Sequence, residues 1–377
     1  MAIKEGVIME NTFSFLNLKS NDDLSHMKYD DAVEFIRRLR EYKLALRDTL
    51  GLDENLTFGL EIEFENLIFQ YNELICELSE LDLLPSTFYS ESNLKSLSDY
   101  KKKNKLWDIG MSPDKYLDID PKEVFNWSVS RDLSLNNGAE ITSPILVDKA
   151  EHWKDLKTVC DLASKFGEIS THSAGHVHVG TQVLGAEKKP WLNFLRLWSA
   201  YENVIYRFGY NEYLTKHKNI SYCKPISKMI FNAYAFFGGN FDRMLNYLSD
   251  SRSYAVNFQN VTLSDGKVIP FSTLEFRNPN GTLDPVIWQN NVNFFIKLLR
   301  YCKSDRFNED NVNYRLKQRN KYSNDFESYN HIFTEQAIEL ADMIFNNNLD
   351  KIYFLRQYIK DFDTSEESMK KTKKFTI

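Results

Sequence analysis

The chain has 377 residues, enough for one large domain with extensions or for two domains. Hydrophobic residues make up 42% and aromatics 14%, with 27 Phe and 20 Tyr, which excludes a largely disordered chain. Forty-seven basic residues against 53 acidic ones leave a formal net charge of −6, so no global positive field exists for nucleic-acid phosphates.

The four cysteines, Cys76, Cys160, Cys223 and Cys302, are scattered and form no CxxC pair. They read as reduced, mostly buried thiols rather than as zinc ligands or a disulfide framework. Met1 to Asn17 interrupts its apolar pieces with Lys4, Glu5 and Glu10, unlike a secretory signal, and no run of about 18 apolar residues occurs. A cytoplasmic protein with neither a membrane nor a nucleic-acid partner is the expectation.

In chain order, Val33, Ile36, Leu39, Leu44 and Leu46 recur near helical spacing between Tyr29 and Leu50, with Asp30 or Asp31 as N-cap and Gly51 as C′. From Thr57 to Phe69 the period changes to two, Leu60, Ile62 and Phe64 alternating with Glu61, Glu63 and Glu65, which predicts a strand. Residues 85–105 are rich in Ser, Asn and Lys and read as an insertion or long loop. Short strands are expected over Val124 to Arg131 and Ala139 to Thr142. A helix follows, capped by Asp148, lined by Trp153, Leu156, Val159, Ala163 and Phe166, and closed by Gly167.

Gly175 to Thr181 alternates again. Pro190 at N1, the face of Trp191, Phe194, Leu195, Trp198 and Ile205, and Gly209 predict a long helix. Phe271 to Arg277 is a further strand, and Asp284 with Pro285 starts a helix carrying Ile287, Asn291, Phe294, Phe295 and Leu298. The remainder reads as helical, most clearly from Phe333 to Phe345, and ends in a frayed Lys-rich tail after Thr364. No internal repeat is visible. Strands with one polar face, not in regular β-α-β alternation, predict an α+β fold with a largely antiparallel sheet.

Three of these strands carry polar pairs at i and i+2, a spacing that puts both side chains on one sheet face. The pairs are Glu61 with Glu63, His176 with His178, and Glu275 with Arg277. Asp132 and Glu140 stand beside strand ends. Alone, each has a bland reading: a solvated face for the glutamates, a structural or surface role for the histidines, and for Glu275 and Arg277 a surface ion pair worth under about 1 kcal/mol. If the strands share a sheet, however, their polar faces gather carboxylates and imidazoles at a density that divalent cations usually screen. Oxygen donors dominate the set, favouring Mg2+ or Mn2+ with phosphate over zinc. No GxxxxGK[ST], GxGxxG, HRD or DFG motif occurs, so any nucleotide must be held by metals and cations across a sheet.

These residues resemble the amidoligases, relatives of glutamine synthetase and glutamate-cysteine ligase. The matching pieces are Gly59-Leu60-Glu61-Ile62-Glu63-Phe64-Glu65, Asp132-Leu133-Ser134, Ala139-Glu140-Ile141-Thr142-Ser143-Pro144, Gly175-His176-Val177-His178-Val179-Gly180, Tyr222-Cys223-Lys224-Pro225, and Thr273-Leu274-Glu275-Phe276-Arg277-Asn278 with Gly281-Thr282-Leu283. Six pieces in the right order span Thr57 to Arg300.

The resemblance implies a curved, largely antiparallel sheet of glutamine-synthetase-like type that holds ATP and two or three Mg2+ ions, with Mn2+ as an alternative. It implies Glu61, Glu63, Glu140 and Glu275 as metal ligands, with Asp132 as a further acidic candidate. His176 would meet phosphate or metal and Arg277 the transferred phosphoryl group, while His178, Lys224 and Arg131 are candidates for nucleotide or substrate contacts. The catalytic domain would run over residues 53–303, between a helical extension at 1–52 and a helical region at 304–377. The implied activity is an ATP-dependent carboxylate-amine ligase that takes an amino-acid or peptide carboxylate donor and an amine acceptor. Two alternatives stand beside it: a metal-dependent hydrolase built on His176 and His178, and a catalytically silent relative that binds a nucleotide or peptide.

Overall fold

A computed structural model describes residues 44–67, 71–81, 83, 127–132, 134–213, 215–216, 220–263, 266–269, 271–319 and 333–360. Its strands are β1 (Phe58–Phe64), β2 (Ser128–Asp132), β3 (Gly138–Thr142), β4 (Gly175–Gly180), β5 (Val256–Asn257) and β6 (Thr273–Phe276). They form one open six-stranded sheet in the order β2-β3-β1-β4-β6-β5, and every strand pair is antiparallel. The α-helices among the described residues are α1 (Tyr71–Glu80), α2 (Ala150–Phe166), α3 (Lys188–Phe208), α4 (Ser227–Phe237), α5 (Phe241–Leu248), α6 (Pro285–Lys303), α7 (Glu309–Arg319), α8 (Thr334–Ile344) and α9 (Asn348–Ile359). None of the helices among the described residues is long and apolar enough to cross a membrane.

The chain divides into two units. Among the described residues, a sheet unit comprises those within 46–187 and 217–292, and a helical unit those within 188–216 and 293–360 together with 44–45. In the sheet unit, alternation sends Phe58, Leu60, Ile62 and Phe64 of β1 to one face with Val177 and Val179 of β4, and all six are buried. Helix α2 covers this apolar face: Trp153 stacks on Phe58 with ring centroids 5.0 Å apart. Gly175 admits α6 at the other end, because a Cβ there would lie 2.4 Å from the Trp288 ring.

In the helical unit, Phe208, Phe294, Phe345 and Phe354 pack together with ring centroids between 4.5 and 6.5 Å apart. α3 bends at Tyr201, whose φ of −120° is not helical, and the Tyr201 hydroxyl donates to Glu339 at 2.7 Å. Arg319 of α7 donates to buried Glu202 of α3 at 2.5 Å.

Two local expectations are corrected. The leading helix falls mostly outside the described residues, but its last positions, Leu44 to Leu50, are not helical. Their backbone groups are claimed from elsewhere. The Gln289 side chain bonds both the N–H and the C=O of Arg47, and Asp148 accepts from the amides of Leu50 and Leu52. Asp148 therefore does not cap α2; Lys149 occupies the N-cap without a side-chain bond, and Trp153 Nε1 donates to Asp148 at 2.8 Å. Asp284 and Pro285 begin α6 as expected, Val286 N–H donating to Asp284 Oδ1 at 2.9 Å. The insertion at 85–105 and the tail after Thr364 lie outside the described residues.

Candidate metal and phosphate site

The register carries the site. Glu61 pairs with Thr142 on one side and His176 on the other, Glu63 pairs with Glu140, and His178 pairs with Glu275. Because side chains directly opposite in an antiparallel ladder share a face, Glu61, Glu63, Glu140, His176, His178, Glu275 and Arg277 all leave the sheet on the side away from α2. Asp132 joins them through its pairing with Gly138, and Asn257 through its pairing with Glu275.

On that face the carboxylates form two groups. Glu61, His176 and Glu275 bring one ligand atom each to within 4.8 Å of one another, and so do Glu63, Asp132 and Glu140. In the first group Glu61 accepts from His176 Nδ1 at 2.6 Å and from His178 Nε2 at 3.0 Å. His176 Nδ1 lies 3.6 Å from Glu275 Oε1, the oxygen that also receives Arg277. In the second group the Ala174 amide donates to Glu63 Oε2 at 2.8 Å, and the Ser134 amide donates to Asp132 Oδ1 at 2.7 Å in a turn that orients the aspartate. Thr142 Oγ1 donates to Glu140 at 3.3 Å.

The electrostatics follow from burial among opposite charges. Burial by itself would raise Glu61, but His178 and the bonds from both imidazoles hold its carboxyl well below the usual carboxylate range. Burial likewise opposes charge on His178, yet Glu61 and Glu275 outweigh it and push its pKa up to about 9. For Glu275 burial is again overcome, by His178, Arg277 and His176, so it too is lowered. Arg277 is held more firmly in its charged form by Glu275 and Glu61 against its own burial.

The donor set suits hard divalent cations: three carboxylates in one group, two carboxylates and an imidazole in the other. Imidazolium and guanidinium groups already supply positive charge to the first group, which is the charge an ion would replace.

Two candidates are not brought into the cluster. Arg131 pairs with Ala139, one residue out of step with Ser130 and Glu140, so alternation sends it to the opposite face from Glu140 and Asp132. Lys224 pairs with Tyr254 on the outer side of β5 and is exposed, whereas Arg277 N–H bonds to the neighbouring Ala255 carbonyl. Both departures have one cause: a side chain's face depends on its register, and register is invisible in an isolated tripeptide.

Sequence reasoning missed three groups that hold the candidate ligands in place. Asn257 donates to Glu275 Oε2 at 2.6 Å, Thr273 Oγ1 lies 3.3 Å from His178 Nδ1, and the Ala174 amide binds Glu63. The only available signal for Asn257 was a polar residue between Val256 and Phe258, and a backbone amide has no sequence signal at all.

Fold and site together define a class: a mixed helix and strand protein whose open antiparallel sheet gathers on one face two acidic groups with the donor atoms to hold a metal ion. A family described as "Putative amidoligase enzyme" matches residues 54–299, which is most of the chain and includes every residue of both groups. The chain belongs to this amidoligase family. Compared with curated proteins it has no match.

Proposed function

We propose that the protein is an ATP-dependent carboxylate-amine ligase that forms an amide through an acyl phosphate on amino-acid or peptide substrates. The supporting observation is the pairing of two carboxylate groups with Arg277 on a single sheet face, in a chain that belongs to the amidoligases. A carboxylate is a poor electrophile because its oxygen leaves badly. Transfer of the γ-phosphoryl group makes that oxygen part of a phosphate; the amine then adds at the carbonyl carbon, phosphate departs and the nitrogen loses a proton. The products are an amide, ADP and phosphate.

Glu61, His176 and Glu275 would hold one Mg2+ and Glu63, Asp132 and Glu140 another, while the sheet adopts the role of a glutamine-synthetase-like platform for ATP. Such ions, when bound, neutralise phosphate charge during transfer. The chain's own part is positioning. Glu275 holds one arm of Arg277, so the guanidinium enters the site in a fixed orientation and presents a planar fork to phosphoryl oxygens. His178 and His176 keep Glu61 ionised and directed toward Glu275. Both imidazoles address one carboxylate, an arrangement that supports positioning over a separate two-histidine hydrolase.

The test is ADP release from purified protein with ATP, Mg2+ and pooled amino acids and peptides, with mass spectrometry of the products. The expected result is ADP formation that requires Mg2+ together with a carboxylate and an amine, and a product lighter than its two substrates by one water. Hydrolysis of peptides without ATP, or ATP consumption indifferent to added amine and carboxylate, would overturn it.

A further inference from the structure

We infer that Asn257 is a positioning residue for Glu275, holding its carboxylate so that one oxygen stays turned toward Glu61 and His176 for a divalent cation. The inference rests on the reading of Glu275 as an ion ligand and adds to it a residue outside the six sequence pieces that carry the resemblance. Asn257 and Glu275 are directly opposed in the β5–β6 ladder, and each is 4% exposed. The amide is committed at both ends. Gln259 N–H donates to Asn257 Oδ1 at 2.9 Å, so the oxygen is engaged and Nδ2 must face the carboxylate, donating to Glu275 Oε2 at 2.6 Å.

A side chain used in this way presents to Glu275 its nitrogen, a donor that does not ligate a cation, while its oxygen is turned to the Gln259 amide. What it does is fix rotation about the last bond of Glu275. With Oε2 tethered to Asn257, Oε1 is left to receive Arg277 and to stand 3.6 Å from His176 Nδ1. Without the tether the carboxylate turns, and the ligand atoms of the first group no longer converge. Partners of this kind are generally worth about 10- to 100-fold in metal affinity.

The test uses Mn2+ as the probe, with binding to the full chain followed by electron paramagnetic resonance. Asn257→Leu keeps the volume and removes the donor; Asn257→Ser serves if the leucine variant does not fold. The expected result is about tenfold or greater weakening of one Mn2+ ion with the other unchanged, the latter being held by Glu63, Asp132 and Glu140. In a Glu275→Gln background, Asn257→Leu should add nothing, because the tether acts only through that carboxylate. Wild-type Mn2+ binding in Asn257→Leu beside a lost ion in Glu275→Gln overturns the positioning role alone. Unchanged binding in Glu275→Gln overturns the ligand reading beneath it. Equal weakening of both ions marks Asn257 as merely structural and overturns the inference as well.

Discussion

Glu61 and His176 stand opposite each other in the β1–β4 ladder, and His176 Nδ1 lies 2.6 Å from Glu61 Oε2. That pairing joins the first acidic strand to the histidine strand, and β6 adds Glu275 on the far side of the histidines. The other acidic group lies on the opposite flank of β1, where Glu63 pairs with Glu140. The central strand thus sends one glutamate to each group.

This division predicts separable ions. On the proposed reading of one ion per group, Glu140→Gln should reduce the Mn2+ stoichiometry from two to one by calorimetric titration and leave the remaining affinity within about twofold, because the groups share no residue. Loss of both ions from this one substitution would mean a single shared site.

Arg277→Lys should lower kcat by at least about 10², roughly 2.7 kcal/mol of transition-state stabilisation, because a lysine ammonium cannot reproduce the planar fork. Its melting temperature should stay close to wild type, since a cation still faces Glu275. The opposing possibility is that the pair chiefly secures the sheet; breaking a buried pair outright costs about 3 to 5 kcal/mol. Thermal unfolding beside ATP turnover decides: a large drop in stability with normal specific activity would remove Arg277 from catalysis.

The ion-free protein should show a pH-dependent contribution from His178. Its folded pKa of about 9 lies above its ordinary 6.5, so the stabilisation is complete below about pH 6.5 and is lost as pH rises through 9. Glu61 is shifted the other way and contributes above the normal carboxylate range, with loss as pH falls through its lowered folded value. In EDTA, the melting-temperature gap between wild type and His178→Gln should therefore be largest near pH 6 and narrowest by pH 9.5. A gap independent of pH, measured by scanning calorimetry, would contradict the assignment.

Asp148→Ala should destabilise the sheet unit by about 2 to 4 kcal/mol in urea unfolding, since two backbone amides and the Trp153 indole lose a charged acceptor. Asp148→Asn, which keeps one carbonyl oxygen, should recover part of that loss. A neutral Asp148→Ala would show that these amides are equally well satisfied by water.

By itself the sequence determined the strands and the faces they offer, because a period of two is a local property: Glu61 and Glu63, His176 and His178, and Glu275 and Arg277 were each legible as same-face pairs. It also determined the start of α6 at Asp284 and Pro285, where a cap and a preset φ act within a few residues. Only the tertiary structure decided which strands are neighbours and in what register. Those pairings bring Glu61 to His176, divide the carboxylates into two groups and turn Arg131 away from them. Long-range satisfaction of backbone groups was equally hidden: Gln289 and Asp148 take the hydrogen bonds that a helix ending at Leu50 would have made internally, 242 and 98 residues away along the chain. Such bonds, like the Asn257 tether on Glu275, follow from packing across the fold, and no local pattern of residues encodes them.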